Sequence, residues 1–465
     1  MEDKIIMFDN SEVNSEVKQA KKIQFITDIS SATVQIIKLL SECNDCIMFN
    51  INFYIYKEGY WQKEEENDII KLIQEFAKEY GFESKYYEHH KKAKDLFEQA
   101  RLDLYSKFTP NKNTLNFLNG TLELNTLEFR EHRKEDYNFN ILPYSYDPNA
   151  KCPNWNKFLD EILPDKKVQE VFQEVVAYPI CGINLEKYGY LVGGGRNGKS
   201  VCLDVISEVF GKENVSHVPL DEINKNDGKA IQQMLFKLIN ISNETNASIL
   251  NSAVFKSYAS NEPLIVKYLY KDTYTSNNYP SSILAANSLP QSNDFSNGFF
   301  RRLKIIPFDV TIPEDKINPN LKNELCKELA GIFNWVHEGI KRLRENKRFS
   351  YSKVIEQTQN EFRNESDNVS MFIEDYMYVP SLVLKQLLSE IYSEYCVFAN
   401  NNGYKKISNK NFSNRLRLLG FNIAPSTGNK TYIWIEKGFR VNETKEEIIG
   451  MPMNKNEKVS QVRLV

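Results

Sequence analysis

The segment LVGGGRNGKS, Leu191 to Ser200, decides how the rest of the chain is interpreted. Within it, the pattern G-x-x-x-x-G-K-[ST] begins at Gly193 and continues through Gly198 and Lys199. The apolar run YGYLV before it predicts a buried strand, and KSVCLDVISEVFG after it predicts a helix. Glycines between a strand and a helix let backbone N–H groups surround a phosphate, and the start of the helix adds a positive dipole. The segment therefore predicts a loop that holds a nucleoside triphosphate.

The residues of this loop receive separate expected roles. Lys199 is expected to reach the β- and γ-phosphates of ATP, and the Ser200 hydroxyl is expected to ligate Mg²⁺. ATP and Mg²⁺ are thus the predicted ligands. The predicted nucleotide-binding residues are Gly193, Gly194, Gly195, Arg196, Asn197, Gly198, Lys199, Ser200 and Val201.

Three further apolar segments follow the loop: FKLINIS, SSILAAN and RLKIIPF. Each predicts a strand, and helical segments lie between them. Strands that alternate with helices along a chain form a mostly parallel, doubly wound sheet. The fold class is therefore predicted as α/β, with a P-loop ATPase domain at its centre.

Polar residues at the ends of these predicted strands are the candidates for catalysis. Glu244 follows the second strand, where a carboxylate can polarise the attacking water and contribute to Mg²⁺ binding, and Asn243 replaces the acid usual beside it. Asn287 ends the third strand and is expected to hydrogen-bond the water or the γ-phosphate. Arg301 and Arg302 precede the fourth strand, and one of them is expected to act as an arginine finger on a neighbouring subunit's nucleotide. An ordinary surface side chain is the alternative for the glutamate and for both arginines.

Composition limits the classes of protein to which the chain can belong. The 465 residues are 41% hydrophobic and 26% charged, which fits two to four soluble globular domains. The formal net charge of −3 means that any nucleic-acid contact must come from local basic patches. No apolar run approaches the roughly 20 residues of a membrane span, and the acidic start is unlike a signal peptide. A cytoplasmic protein without a membrane partner is expected.

Cysteine and histidine patterns predict no metal site. The seven cysteines are scattered, and the Cys43-x-x-Cys46 pair lacks a second pair or two histidines at zinc-ligand spacing. Reduced, structural cysteines are expected. His89 and His90 lie in a lysine-rich helical stretch and are interpreted as part of a solvated helix face.

Changes in pattern along the chain predict its domains. Asn119-Gly120 lies between alternating apolar residues and predicts a hairpin, and Pro164-Asp165 separates two predicted helices between Trp155 and Cys181. The predicted divisions are an N-terminal α+β domain (1–110), a pre-motor helical oligomerisation region (111–185), the ATPase domain (186–345), a helical linker (346–379), a winged-helix-like domain (380–441) and a flexible tail (442–465).

The C-terminal region after Pro380 predicts a DNA-binding module. A helix is expected over SLVLKQLLSEIYSEYCVFANNNG and another over SNKNFSNRLRLLG, followed by the strands FNIAPS and KTYIWIE. Helices followed by a two-stranded wing are typical of winged-helix domains. Lys410, Arg415 and Arg417 on the second helix are the predicted duplex-DNA contacts. The close alternative is a module that does not bind DNA and only contributes packing contacts within an oligomeric ring.

Taken together, the motifs GGGRNGKS, INISNET, LAANSLP and FFRRLKIIPF resemble a superfamily 3 helicase of the phage, plasmid and poxvirus type. The resemblance is to the NTPase half of the primase-helicases and covers roughly Asn116 to Val441. It implies an AAA+-like ATPase that assembles as a homo-hexamer and moves along single-stranded DNA at a fork, in a phage or mobile genetic element. The first hundred residues are too short for the family's primase domain and contain no D-x-D, so a separate primase or loader is a candidate partner.

The resemblance also assigns a DNA grip. The segment FKSYASNEPLIVKYLYKDTYTSNNYP is similar to the family region that forms a hairpin in the ring's channel. Lys271 matches the tip lysine that holds the DNA backbone, and Lys256 and Lys267 are weaker candidates for nucleotide or strand contacts. Six copies would form a positive collar without making the whole chain basic. An ordinary exposed hairpin lysine is the alternative.

The sequence leaves three functions to distinguish. The first is an ATP-dependent replicative DNA helicase. The second is an ATPase of the same fold that only remodels or loads, such as an initiator clamp, without processive unwinding. The third is an origin-binding factor whose ATP site only switches its assembly. A metabolic kinase is the least supported, because the sequence shows no lid segment or small-substrate signature.

Overall fold

The computed structural model describes residues 34–35, 38, 46–49, 52–79, 81–103, 110–243, 252–268, 272–287, 297–402, 404, 406–426 and 430–438. The chain divides into two compact units, residues 1–359 and 360–465. Within the described ranges, no helix combines the length and the apolar character needed to cross a bilayer.

A small α+β layer lies in the N-terminal part of the first unit. Strands β1 (Cys46–Phe49), β2 (Asn52–Lys57) and β3 (Tyr60–Glu64) form an antiparallel meander, followed by helices α1 (Glu66–Glu79) and α2 (His90–Asp103). The buried Ile69, Ile73 and Phe76 recur at helical spacing on α1, so one face of the helix packs against the sheet.

The predicted hairpin and helix pair come next, and both are confirmed. Strands β4 (Thr114–Phe117) and β5 (Gly120–Glu123) pair antiparallel across Asn119-Gly120, and β6 (Phe129–Arg130) adds to β5. Helices α3 (Pro153–Ile162) and α4 (Lys166–Ala177) are separated at Pro164-Asp165. The Asp165 carboxylate caps α4 by accepting from the backbone N–H groups of Lys167 and Val168, at 2.7 and 3.0 Å.

The centre of the first unit is a five-stranded sheet in which every neighbouring pair is parallel. Its strands are β7 (Tyr188–Val192), β8 (Val215–Ser216), β9 (Ile239–Asn243), β12 (Ser282–Ala286) and β13 (Leu303–Pro307), in the order β13-β7-β12-β9-β8. The four strands predicted from the sequence are present, and the two-residue edge strand β8 was not predicted. This arrangement confirms a mixed α/β fold built on a parallel sheet.

Helices cover the sheet. They are α5 (Lys199–Phe210), α6 (Leu220–Asn224), α7 (Lys229–Met234), α8 (Ser252–Ala259), α9 (Asn297–Phe300), α10 (Leu321–Leu325) and α11 (Leu329–Asn346). On one face, Leu191, Ile241, Ile283 and Ile306 join the main hydrophobic core with α4, α5 and α11. On the other face, the Tyr188 ring stacks on Phe255 of α8 with ring centroids 4.4 Å apart. Burial on both faces explains why β7, β12 and β13 are mostly apolar.

The region expected to form the DNA hairpin contains two short antiparallel strands, β10 (Leu264–Val266) and β11 (Tyr274–Ser276). The backbone N–H of Lys267 donates to the Gly228 carbonyl at 3.1 Å, which ties the end of β10 to the start of α7. The predicted tip residue, Lys271, lies outside the described residues.

The second unit is assembled from helices and an antiparallel sheet. Helix α12 (Lys353–Ser366) contains the division between the units. After it come α13 (Asn368–Asp375), β14 (Tyr378–Leu387), α14 (Leu388–Asn401), α15 (Asn409–Leu418), β15 (Ile423–Ser426) and β16 (Lys430–Lys437). The three strands are ordered β14-β16-β15.

The structure corrects the helix predicted to begin at Ser381. Residues 381–387 belong to β14, and the helix begins only at Leu388. Lys385, Gln386 and Leu387 pair with β16, so sheet pairing overrides the helical apolar spacing of this segment. The register shifts between Pro380 and Lys385, and Leu382, which lies in this interval, is 98% exposed.

Candidate nucleotide site

The glycine loop leaves the sheet at the carboxyl end of β7, the strand that lies between β13 and β12. In parallel α/β sheets, ligands bind beyond the carboxyl ends of the strands. The loop then enters α5 at Lys199, so it connects a central strand directly to the start of a helix. The strand–loop–helix context expected from the sequence is therefore present.

Two glycines of the loop stand where a side chain would not fit. A Cβ atom on Gly193 would lie 2.3 Å from the Phe308 carbonyl oxygen, and one on Gly198 would lie 2.8 Å from Ile162 Cγ2. Gly198 also has a φ of 81°, a left-handed conformation that glycine adopts without strain. By contrast, nothing lies within 4 Å of a Cβ built on Gly194 or Gly195, so the mouth of the loop is open. This shape fits an anion cradled by backbone N–H groups.

The side chain of Asn197 is buried inside the loop and holds its backbone by hydrogen bonds. It is 5% exposed, and its Nδ2 donates to the carbonyls of Gly194 and Phe308 at 2.6 and 3.1 Å. Its Oδ1 accepts from the Lys199 backbone N–H at 3.3 Å. Arg196 instead points outward and forms an exposed ion pair with Glu314 at 2.6 Å. Of these two neighbours, the asparagine shapes the loop, while the arginine lies at the surface in an ion pair.

The Lys199 ammonium lies within the loop itself. The residue is 7% exposed, and Nζ donates to the carbonyls of Gly193 and, at 3.3 Å, of Gly194. Burial lowers the pKa of this lysine. Both of these partners are neutral, so a phosphate anion that took their place would supply a countercharge that the carbonyls do not. Ser200 is exposed one residue further on, and Val201 packs partly into the core.

The neighbouring strands bring one predicted polar residue to the loop. Ala286 of β12 is the register partner of Val192, so Asn287 follows at the level where the loop begins, and it is exposed. Asn243 ends β9 and is exposed at the same edge of the sheet. Glu244, the predicted water-polarising and Mg²⁺-binding residue, lies outside the described residues.

The two candidate arginines are in very different surroundings. The side chain of Arg302 is 9% exposed, and its guanidinium donates to the Gly298 carbonyl at 2.6 Å and to Ser260 Oγ at 3.0 Å. The side chain of Arg301 is 60% exposed. Both guanidiniums contact one carboxylate, that of Glu186. Arg302 is thus held within the fold, and Arg301 is the one presented to solvent.

The glycine loop lies at the edge of the sheet formed by the carboxyl ends of its strands. These arginines lie at the opposite edge, formed by the amino ends of the strands. Leu303, at the start of β13, pairs with Tyr188, and Pro307, at its end, pairs with Val192. Strand β13 alone spans roughly 13 Å at about 3.3 Å per residue. Arg301 is therefore too far away to reach a nucleotide in the loop of its own chain.

The sequence reasoning missed two residues of this edge, Glu186 and Lys187. Lys187 donates from Nζ to the Arg301 carbonyl. Burial, together with Lys304, Arg301 and Arg302, lowers its pKa to about 8. Both residues immediately precede the apolar run YGYLV, and only their position next to that strand could have singled them out.

The remaining basic candidates are distributed over both units. Lys267 is exposed at the end of β10, and Lys256 is half-buried on α8. On α15, Lys410 and Arg417 are exposed, and Arg417 Nη1 donates to Asn414 Oδ1 at 3.1 Å. Positions 410, 414 and 417 have the spacing of one helix face.

Arg415 does not belong to that face. Its guanidinium pairs with the carboxylate of Asp367, which is 3% exposed and also accepts from the Ser370 backbone N–H at the start of α13. The ion pair joins α15 to α13. The Arg415 side chain therefore stabilises the second unit, and its charge is already paired with the buried Asp367 carboxylate.

Two family models match parts of the chain. The model described as D5 N terminal like matches residues 38–164, and a family of unknown function (DUF5906) matches residues 191–302, which include the glycine loop and both arginines.

Two curated viral proteins are similar in sequence. "Putative helicase L207/L206" of Acanthamoeba polyphaga mimivirus is 26% identical over 216 residues, which are 43% of this chain and 22% of that protein. "Putative helicase 184R" of Invertebrate iridescent virus 6 is 24% identical over 307 residues, 58% of this chain and 31% of that protein. The chain thus spans less than a third of the length of either relative.

A solved structure also aligns with most of the chain. It is titled "The A form apo structure of NrS-1 C terminal region-CTR", is 12% identical, and has a TM-score of 0.47 over 86% of this chain and 98% of that one.

Proposed function

We propose that this chain is the motor of an ATP-dependent replicative DNA helicase of the superfamily 3 type, working as a hexameric ring. One observation carries the proposal: the open glycine loop and the exposed Arg301 lie at opposite edges of the same parallel sheet. The strand order β13-β7-β12-β9-β8 supports an AAA+-like P-loop ATPase. The similarity to two viral proteins named as helicases supports the same activity.

ATP would be held by the loop residues 193–201. Backbone N–H groups of the loop would surround the phosphates, Lys199 would neutralise them, and the Ser200 hydroxyl and Glu244 would hold Mg²⁺. The metal would supply charge neutralisation at the β- and γ-phosphates. Glu244 would orient the attacking water, and Asn287 would hydrogen-bond that water or the γ-phosphate. Asn243 provides no charge beside Glu244, so the metal would depend mainly on Ser200, the phosphates and water.

The position of Arg301 supports action between subunits. Because the arginine is too far from its own loop, it can stabilise a γ-phosphate only in a neighbouring copy. Repeating such a head-to-tail contact closes a ring when the rotation allows it. A homo-hexamer of this kind would place its hairpins, with Lys271, Lys267 and Lys256, around single-stranded DNA at a fork.

The second unit supports a separate contact with duplex DNA. Its order of α13, β14, α14, α15, β15 and β16, with the sheet order β14-β16-β15, is that expected of a winged helix. Helix α15 would enter the major groove with Lys410 and Arg417, and the β15–β16 hairpin would follow the backbone. Arg415 is left out of this contact because Asp367 already neutralises it.

Strand separation on a forked duplex tests the motor directly. Lys271→Ala is expected to abolish ATP-dependent unwinding while the ATPase rate without DNA stays within about two-fold, because the hairpin lysine contacts DNA and not the nucleotide. The slope of log affinity for single-stranded DNA against log salt should fall by about 0.7 for each phosphate that the variant no longer neutralises. Unwinding, basal hydrolysis and salt-dependent binding are measured on the same preparation.

The control for this variant is Lys341→Ala, which removes a lysine that pairs with Glu338 on α11 and lies outside the hairpin. Normal unwinding by Lys271→Ala would remove the hairpin from the mechanism. ATP hydrolysis and DNA binding without any unwinding by the native chain would favour the second candidate, an ATP-switched initiator or loader. A separate primase or loader remains a candidate partner in either case.

The duplex contact is tested by comparing a double variant of the exposed residues of α15 with a variant of Arg415. Arg417→Ala combined with Lys410→Ala is expected to weaken duplex binding and to reduce the salt slope by about 1.8, two phosphates at about 0.9 each. Arg415→Ala is expected to leave the salt slope unchanged and to lower the free energy of unfolding by about 2 kcal/mol, because it removes the cationic partner of the buried Asp367 carboxylate. Fluorescence anisotropy at several salt concentrations and thermal unfolding give the two readouts. If the double variant binds duplex DNA with unchanged affinity, the second unit would instead be a module that contributes only packing contacts within the ring.

A further inference from the structure

One carboxylate connects the two arginines at the edge opposite the glycine loop. Glu186 Oε2 lies 2.7 Å from Arg301 Nη2 and 3.1 Å from Arg302 Nη2. Arg302 is fixed by its bonds to Gly298 and Ser260, whereas Arg301 has a mostly exposed side chain. Glu186 is thus anchored on a buried arginine and holds the exposed one.

The backbone at Glu186 is held in an uncommon conformation. Its φ of 55° is left-handed, which costs a glutamate more than it would cost glycine or asparagine. The Glu186 N–H donates to Asn184 Oδ1 at 2.9 Å, and the Leu185 N–H donates to the Tyr178 hydroxyl at 2.9 Å. These bonds hold the backbone of the turn, and the contact with the buried Arg302 holds the carboxylate.

Positive charge exceeds negative charge around this carboxylate. Arg301 and Arg302 contact Glu186 directly, and a third cation, Lys187, lies beside them and donates from its ammonium to the Arg301 carbonyl. A single carboxylate cannot neutralise three cations. The edge is therefore suited to receive a further anion, and Arg301 is the cation most free to move toward it.

We propose that Glu186 is a positioning residue that holds Arg301 until the triphosphate of a neighbouring subunit displaces it. This inference rests on the proposed function, in which Arg301 acts between subunits. Arg301 would exchange the Glu186 carboxylate for the γ-phosphate, while Glu186 would stay paired with the buried Arg302. An exposed ion pair is weak enough for this exchange, since such pairs contribute little in water. Glu186 would thereby oppose premature engagement and set how readily ATP brings two subunits together.

The test is a double-mutant cycle on ATP hydrolysis by the assembled protein. Glu186→Gln keeps the length of the side chain and removes its charge. It is expected to raise kcat/KM for ATP about two- to five-fold at low salt, the range set by an exposed ion pair. The gain should disappear at about 0.5 M salt, where the pair is screened. In an Arg301→Ala background, measured on its residual hydrolysis, Glu186→Gln is expected to have no effect.

Two further variants keep the outcome decisive. Glu338→Gln removes a glutamate from another exposed ion pair and should leave kcat/KM unchanged. Glu186→Asn loses reach to Arg301 but suits the left-handed backbone, so it should fold and show the same gain as Glu186→Gln. Thermal unfolding monitors the fold of every variant.

The possible results separate this inference from the proposed function. An equal effect of Glu186→Gln with and without Arg301, or a loss of kcat/KM in a variant of native stability, would mean that Glu186 is purely structural. Absence of ATP hydrolysis in the native chain, or full activity of Arg301→Ala, would overturn the proposed function itself.

Discussion

Lys199→Ala is expected to abolish ATP hydrolysis and to leave the fold intact. The lysine contributes its ammonium to the open glycine loop, where it donates to the neutral carbonyls of Gly193 and Gly194. Removing it deletes the charge that would neutralise the β- and γ-phosphates in the transition state. Loss of one such charge-stabilising group commonly costs about 10²- to 10³-fold in rate. On the same basis, the hydrolysis rate of the purified variant should fall by at least about 100-fold.

The fold should tolerate this change because the lysine makes no ion pair among the described residues, and burial already disfavours its charged form. The thermal midpoint of the variant is expected to match or slightly exceed that of the native chain. Lys199→Met, which keeps most of the side-chain volume, serves as a packing control, and Lys341→Ala serves as a surface control. An unchanged hydrolysis rate in a pure sample of Lys199→Ala would mean that the glycine loop is not the nucleotide site.

Arg301→Ala is expected to lower ATP hydrolysis by about 10³-fold or more, the usual effect of an arginine finger. If the arginine acts on a neighbouring subunit, as proposed, mixtures of Arg301→Ala and Lys199→Ala chains should recover activity that neither has alone. Some interfaces in the mixed assemblies pair an intact loop with an intact arginine. The measurement is the hydrolysis rate as a function of mixing ratio, with subunit exchange followed independently.

Arg302→Ala is the matched control and should behave differently. This arginine is buried and bonds Gly298, Ser260 and Glu186, so its loss is expected to lower the free energy of unfolding by about 2 kcal/mol or more. Mixing it with Lys199→Ala should restore activity only as far as the variant folds. If the Arg301→Ala mixtures show no recovery although their subunits exchange, the arginine acts within its own chain or not at all.

The amino-acid sequence was sufficient to predict the centre of the fold. The apolar runs around β7, β9, β12 and β13 are buried on both faces, and such strands are recognisable without any partner. The hairpin at Asn119-Gly120 and the helix break at Pro164-Asp165 follow from local backbone preferences, which need no tertiary contact. The position of Asn287 beside the loop follows as well, because parallel neighbours end at a common edge.

Only the tertiary structure distinguished side chains of the same type. Arg301 and Arg302 are adjacent in sequence, yet one is exposed and the other is enclosed by α9 and Ser260. Arg415 and Arg417 lie on the same helix, yet Arg415 forms an ion pair with the buried Asp367 carboxylate, whereas Arg417 is exposed. Burial and pairing depend on residues distant in the chain, so no local pattern reports them.

Contacts with residues distant in the chain also explain the other differences between the sequence-based predictions and the structure. Residues 381–387 have helical apolar spacing, but they form β14 because β16 offers hydrogen bonds along that segment. Glu186 belongs to no recognisable motif. Its two arginine partners lie at least 115 residues further along the chain, and the contact forms only when β13 pairs with β7. The sequence by itself thus determined the four central strands and the strand–loop–helix context of the glycine loop. The fold decided which charges are held in buried pairs and which lie at the surface, where an ion pair is weak enough to be exchanged.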